Sequence, residues 1–485
     1  MKLENTPAGR LDAILASQKQ FFRTEATLDI AFRKRQLKAL LQALEAHEQA
    51  LADALWTDLH KSYEEAYLTE LSLVKGEIRD ALRHVKCWAR RERRRTPVTL
   101  FGSRSYVVKE PLGAALIVSP WNYPVQLLLS PLVGAIAAGC TAVLKPSPYV
   151  PNVSLALEKM IRSAFDEQYI AVAQGNREVN AHLFSQRYDL IFFTGSPALA
   201  RTVAAAAAPN LTPLVLELGG KSPCIVGRDA DIALAAKRIA WGKTLNAGQT
   251  CIAPDYLIIH PDVREAFITA FGEAVRELHG EDIRNSKHYV HMVSDKAFER
   301  VTGYLAGGTV RYGGHSDAAE RFIEPTILDG LKPDADVLTT EIFGPVLPIV
   351  SLYESASAFT AGNAPASGNP APDKPAPSFV DQVVDYIVSR EKPLALYYFG
   401  RESEGWEIVR RTSSGGCCIN DTIMHIANPH MPFGGVGNSG MGHYHSRESF
   451  EAFSHRRAVL ASPTWFDLPF RYMPYKFFGL IRKMM

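Results

Sequence analysis

The sequence predicts an α/β protein built on parallel sheets with helices on both faces. Three observations carry that reading. Short apolar runs of strand length alternate with stretches of helical periodicity. Parallel strands need a crossover between them, so that alternation is the signature of a covered parallel sheet. At 485 residues the chain is too long for one small core, so two or three domains are expected.

The elements follow in order. Leu11 to Leu55 reads as amphipathic helices, with Leu37, Leu40, Leu41 and Leu44 at helical spacing. Arg90, Arg91, Arg93, Arg94 and Arg95 form a basic cluster. One Glu interrupts it and no aromatic interleaving follows, so it reads as a solvated or interface helix end. Tyr106 to Val108 is strand-like. Ala114 to Ser119 and Thr141 to Leu144 read as strands, Ser154 to Ala164 as a helix, and Tyr169 to Ala173 as a short strand. Leu190 to Phe193 is a further apolar run, Ala198 to Ala208 a helix, and Leu214 to Leu218 a strand. A second α/β stretch runs from Ile225 to Val409, opening with strand-like Tyr256 to His260 and helix-like Arg264 to Glu277. Ala361 to Ser378 is rich in Ala, Pro, Gly, Ser and Asn, buries little apolar surface and reads as a mobile surface loop.

Composition excludes several classes. An apolar fraction of 47% and a charged fraction of 21% are those of an ordinary globular protein. A net charge of +2 gives no reason to expect nucleic acid. Six cysteines with no CxxC pair suggest neither a disulfide framework nor structural zinc, and fit a reducing cytoplasm. His443 and His445 lack carboxylate partners at ligand spacing, so no metal is expected. The start of the chain has no apolar core of signal-peptide type. From Pro111 to Pro146 the only charge is Lys145, but Pro120, Asn122, Pro124 and Pro131 break the run. It reads as a buried strand, a loop and a core helix, not a membrane span. The C-terminal tail mixes aromatics with Arg471, Lys476, Arg482 and Lys483. It is too short and basic to span; packing on its own body or on a partner subunit is the favoured reading, and a membrane interface the alternative.

The chemistry centres on Asn246-Ala247-Gly248-Gln249-Thr250-Cys251. A small, flexible turn rich in hydrogen-bonding groups can hold a thiol at the floor of a pocket. None of Cys87, Cys140, Cys224, Cys417 and Cys418 has such a neighbourhood. Gly435 to Gly440 matches GxGxxG by letter, yet no strand precedes it and no helix follows, so it reads as a turn-rich loop near an interface. Nucleotide binding is better argued from Lys145 at a strand end and from Gly195-Ser196 between a strand and a helix. A lysine there can donate to ribose hydroxyls, and a helix N-terminus can face a pyrophosphate.

Taken together, these motifs resemble the NAD(P)-dependent aldehyde dehydrogenase superfamily over nearly the whole chain. The resemblance runs through Ser119-Pro120-Trp121-Asn122-Tyr123-Pro124, Lys145-Pro146-Ser147, Phe193-Thr194-Gly195-Ser196 and Glu217-Leu218-Gly219-Gly220-Lys221. It continues through the Cys251 turn, Glu341-Ile342-Phe343-Gly344-Pro345 and Pro432-Phe433-Gly434-Gly435. The early start, the Ser-Pro-Trp-Asn-Tyr-Pro form and His443-Tyr444-His445 are most similar to the class-three branch, dimeric enzymes acting on medium- and long-chain or aromatic aldehydes.

The resemblance implies a Rossmann-like cofactor domain at 1–88 and 109–217 and an α/β catalytic domain at 218–425. It implies oligomerisation strands at 89–108 and 426–460, a tail at 461–485, and a homodimer. It implies Cys251 as nucleophile, the Asn122 amide with the Cys251 backbone N–H as oxyanion donors, and Glu217 as the base that activates water on a thioester. Lys145, Gly195, Ser196, Glu341 and Phe343 fall on cofactor positions, for NAD or NADP. Read by residue alone, Glu217 is equally a salt-bridged strand-end acid, Asn122 an Asx turn, Glu341 a turn acid and Phe343 plain core. Many relatives carry an acid directly after Lys-Pro-Ser; Pro148 stands there, which implies tolerance of NADP. Ala361 to Ser378 looks like an insertion. Ser446 stands where class-three relatives usually have glycine. An acylating, coenzyme A-dependent relative and a catalytically silent scaffold are the competing readings.

Overall fold

The computed structural model describes residues 3–352, 377–467, 471–475 and 478–484. Two large sheets carry the fold. The first runs in the order Gly440–Met441, Leu214–Leu218, Leu190–Gly195, Ala114–Val118, Thr141–Lys145 and Ile170–Val172. Every neighbouring pair is parallel except the first. Ala114–Val118 and Thr141–Lys145 are buried at every position, as a sheet covered on both faces requires.

Successive residues of the central strand join different cores, because side chains alternate across a sheet. Ile117 packs with Leu37, Leu40 and Leu44 of Ile30–Ala46 and with Leu128 and Leu132 of Gln126–Ala138. Its neighbour Leu116 packs with Leu11 and Ile14 of Ala8–Phe22 and with Val203 of Pro197–Ala207. Gln126–Ala138 is buried all round, which explains its lack of charge without a membrane. Among the described residues, no helix is long and apolar enough to cross one.

The second sheet runs Thr309–Tyr312, Thr326–Asp329, Val346–Val350, Tyr256–Ile259, Pro223–Val226, Ala395–Phe399 and Gly416–Ile419. It is parallel apart from its first pair. A third, antiparallel sheet pairs Glu92–Arg94 with Arg104–Pro111 and Arg104–Pro111 with Ser454–Ala461.

One expectation changes, and the structure adds detail elsewhere. The basic cluster is not a helix end: the helix Ser72–Trp88 stops before it, and Arg93 and Arg94 lie in a strand. The Gly435–Gly440 loop ends in a short strand, Gly440–Met441. Gly440 pairs antiparallel with Glu217, so this segment from the expected oligomerisation region closes the edge of the first sheet. Cys417 and Cys418 are only half-buried, on Gly416–Ile419. The tail touches its own body through Phe466 on Phe101 and Ser462 on Ser103, but Trp465, Met473 and Phe478 stay exposed. Of the loop expected at Ala361 to Ser378, all but Pro377 and Ser378 lies outside the described residues; Ser378 caps the helix Phe379–Val388.

Candidate active site

The carboxyl ends of the first sheet's strands converge, and ligands of open parallel sheets bind outside such ends. Ala114–Val118 runs into the loop that carries Asn122. Thr141–Lys145 ends at Lys145, Leu190–Gly195 ends at Gly195, and Leu214–Leu218 carries Glu217. Glu217 lies in register with Thr194 on one side and Gly440 on the other, which fixes its position along the sheet.

The turn before Cys251 is pinned, not flexible. Asn246 (φ 52°), Ala247 (φ 50°) and Gly248 (φ 70°) are all left-handed and buried. A β-carbon at Gly248 would sit 2.3 Å from the Gly344 carbonyl oxygen, so only glycine fits. Asn246 Nδ2 donates to the carbonyls of Gln249 and Asn122, each at 3.0 Å. Gln249 Nε2 donates to the Asn246 and His291 carbonyls, and Gln249 Oε1 accepts from the Val293 N–H. This web of buried hydrogen bonds holds three residues in a conformation that is costly for non-glycine residues.

Asn122 is 2% exposed, and its Nδ2 donates to the Gln249 carbonyl at 3.0 Å. One amide N–H is thereby used, and the second is free for a ligand. Neighbouring Tyr123 shares a 2.6 Å hydrogen bond with Thr250, the residue before the thiol. Cys251 is partly exposed, and its thiol is pushed up to about 12. Burial is the main cause, followed by the carboxylates of Glu341 and Glu217; the backbone N–H groups of Cys251 and Ile252 act in the opposite direction. Those two N–H groups therefore favour the thiolate.

Glu217 is 3% exposed, and among the described residues neither carboxylate oxygen has a hydrogen-bond partner. Burial alone holds its carboxyl well above the usual range. An unpaired buried acid is costly and unusual in a folded protein. Glu341 accepts from the Gly220 N–H at 3.1 Å; burial and then Asp255 push it up to about 8. A β-carbon at Gly219 would meet Glu341 Oε1 at 2.2 Å, so the carboxylate lies directly over that glycine. Phe343 has φ 48° and stands edge-on to Trp121, with centroids 5.3 Å apart. Cys251, Glu217 and Glu341 thus share one electrostatic site, tied to Asn122 through the turn.

Lys145 and the Gly195-Ser196 corner sit at strand ends of the same sheet, on either side of the strand Ala114–Val118. Lys145 is 1% exposed, donates to the Pro146 carbonyl at 2.8 Å and is pushed down to about 8 by burial. Ser196 caps the helix Pro197–Ala207 by accepting from the Leu199 N–H at 3.4 Å. The buried Thr194 hydroxyl has no partner. A buried cation, a helix N-terminus, a carboxylate over a glycine and an unpaired hydroxyl fit the hydroxyls and phosphates of a dinucleotide. His445 is buried and faces Glu77 at 3.7 Å while His443 is exposed, so the two do not converge. Among the described residues no cluster of metal-ligating side chains occurs.

Several participants carry no signal in the sequence. Lys61, Glu65 and Glu70 lie in an unremarked helical stretch yet touch the Asn122 loop and the Cys251 turn. Buried Tyr444 packs edge-on against Phe192 and Phe433; its phenol is pushed up by burial, and also by Glu217 and Cys251. Tyr123 and Thr250 stood inside the quoted motifs, but nothing in the letters pairs them.

Comparison with known proteins shows the family. The model of the aldehyde dehydrogenase family matches residues 2–371 and 381–459. The 4,4'-diaponeurosporen-aldehyde dehydrogenase of Staphylococcus aureus is 42% identical over 461 residues, covering 94% of this chain and 95% of that protein. The dimeric NADP-preferring aldehyde dehydrogenase of Canis lupus familiaris is 38% identical over 469 residues, covering 96% and 98%. The solved substrate-bound state of Staphylococcus aureus AldH superposes with a TM-score of 0.90 at 40% identity, covering 98% of this chain and 99% of that one. The chain belongs to the aldehyde dehydrogenase family and is an NAD(P)-dependent enzyme that oxidises an aldehyde to a carboxylic acid.

Proposed function

We propose that Cys251 is the nucleophile of this oxidation, that Asn122 and the Cys251 backbone N–H hold the oxyanion, and that Glu217 is the base. The observation that carries the reading is Glu217, a buried carboxyl with both oxygens unpaired, raising the pKa of the one cysteine held in a pinned turn. Cys251 Sγ bonds to the aldehyde carbon, and its thiol proton passes to the open Glu217 carboxylate. Negative charge on the carbonyl oxygen is met by the free Asn122 amide N–H and the Cys251 N–H. A bound nicotinamide supplies the hydride acceptor, and a thioester remains on Cys251. Glu217 releases the thiol proton to solvent, then takes a proton from the attacking water and passes it to Cys251 Sγ as the carbon–sulfur bond breaks and the acid leaves.

Lys145 holds ribose hydroxyls, the Ser196 helix start faces the pyrophosphate, and Glu341 with Phe343 holds the nicotinamide end. NAD and NADP both serve, since no acid follows Ser147 to repel a 2′-phosphate. The division into a cofactor domain (1–88, 109–217), a catalytic domain (218–425) and oligomerisation segments (89–108, 426–460) is supported by the three sheets. Ser454–Ala461 is an exposed edge strand, which supports a homodimer paired along that edge. The substrate class is medium- or long-chain aliphatic or aromatic aldehydes, and the compartment the cytoplasm, where six free thiols persist.

Reduction of NAD(P) with a panel of aliphatic and aromatic aldehydes, with and without coenzyme A, tests the reading. Free acid as product and complete loss of turnover in folded Cys251→Ala support it. Acyl-coenzyme A as the only product overturns the role given to Glu217.

A further inference from the structure

We infer that Lys61, Glu65 and Glu70 are positioning residues that lock the Asn122 loop onto the Cys251 turn. The inference rests on the roles proposed above for Asn122 and Cys251. Lys61 and Glu70 form an ion pair of 2.7 Å with both side chains fully buried. Neither charge serves only the other. Lys61 Nζ also donates to the Asn122 carbonyl at 3.1 Å and lies 4.3 Å from the centre of the Tyr123 ring. Glu70 Oε2 accepts from the backbone N–H groups of Val125 and Gln126, at 2.8 and 3.2 Å. The pair therefore grips both sides of the Asn122 loop.

Glu65 grips the other partner. Its Oε1 accepts from the backbone N–H of Asn246 at 2.9 Å, where the left-handed run begins. The Asn122 carbonyl joins the two halves, accepting from Lys61 Nζ and from Asn246 Nδ2. One short segment thus spans from the oxyanion donor's loop to the nucleophile's turn. Its π-helical stretch Tyr67–Leu71 carries Glu70. Such turns inside helices re-aim side chains and recur at functional sites.

A buried ion pair is weak grounds for stability, because desolvation offsets its attraction. Its contacts here go to the two loops that must meet within a fraction of an ångström. Misplacing a reacting group by about 1 Å costs on the order of 10²-fold in rate.

The test uses the full chain with Glu65→Gln, Glu65→Leu and the double variant Lys61→Met/Glu70→Leu. Thermal melting reports folding. Steady-state assays give kcat and both KM values, and iodoacetamide labelling reports Cys251 independently of turnover. Glu65→Leu is expected to lower kcat about 10²-fold and to change the labelling rate at least about fivefold, with the dinucleotide KM within about twofold. Glu65→Gln keeps the acceptor oxygen and is expected to recover to within about fivefold of the parent. The double variant strands no charge, so it is expected to melt near the parent while kcat falls at least about tenfold. A kcat within about twofold of the parent in Glu65→Leu, or Glu65→Gln no better than Glu65→Leu, overturns the inference. If the parent oxidises no aldehyde, the proposed roles fail. The labelling rate then decides the positioning claim alone: an unchanged rate in Glu65→Leu overturns it.

Discussion

The side-chain amide of Asn122 donates to the Gln249 carbonyl at 3.0 Å, which ties the loop after the central strand to the turn that ends at Cys251. In the proposed mechanism Asn122 has two functions, one N–H fastening the turn and one left for an oxyanion. Asn122→Ala is expected to lower kcat about 10²–10³-fold. Iodoacetamide labelling of Cys251 develops no oxyanion, so it is expected to change by less than about tenfold. Equal losses in both assays would show that the residue only fastens the turn.

Gly219→Ala places a methyl group 2.2 Å from Glu341 Oε1, and the carboxylate must move. The expected outcome is a KM for the dinucleotide raised at least about tenfold, with Cys251 labelling near that of the parent. Unchanged cofactor KM would separate Glu341 from cofactor binding.

Glu341 contributes most after burial to the raised thiol at Cys251. Its own carboxyl sits at about 8, so it is an anion above that pH and there disfavours a neighbouring thiolate. Replacing it by Gln removes the charge and lowers the thiol's pKa. Labelling of the free enzyme at alkaline pH is therefore expected to speed up about threefold or more in Glu341→Gln, even as turnover falls. A slower reaction would show that Glu341 supports the thiolate.

Pro148 follows Lys145-Pro146-Ser147 and is only partly buried, so an acid placed there would reach solvent near the strand end. Catalytic efficiencies with NAD and NADP are expected to agree within about tenfold in the parent. Pro148→Glu is expected to depress the NADP value at least about tenfold through like-charge repulsion. Strong NAD selectivity in the parent would refute the role given to this position.

The parallel strands of the first sheet were legible because each is a mostly apolar run, and a run of that kind has one stable place, inside a covered sheet. Glu217 was visible for the same reason, as the one acid in such a run. The turn was visible by its letters but misjudged in character. Asn246, Ala247 and Gly248 look flexible in sequence, and it is the partners Asn122, His291 and Val293 that hold them left-handed. The pairing of the Gly435–Gly440 loop with Glu217 was not legible because it is a contact across nearly half of the sequence, and no local pattern encodes it.

The sequence by itself determined the covered α/β architecture and singled out a candidate thiol and an acid at a strand end. These depend on local periodicity and residue chemistry. Tertiary structure alone decided that Glu217 has no partner, that Asn122 gives one N–H to the turn, and that Lys61, Glu65 and Glu70 reach both loops. Hydrogen-bond satisfaction and desolvation depend on what lies within a few ångströms in space, and the residues that meet here are as much as 181 positions apart along the chain.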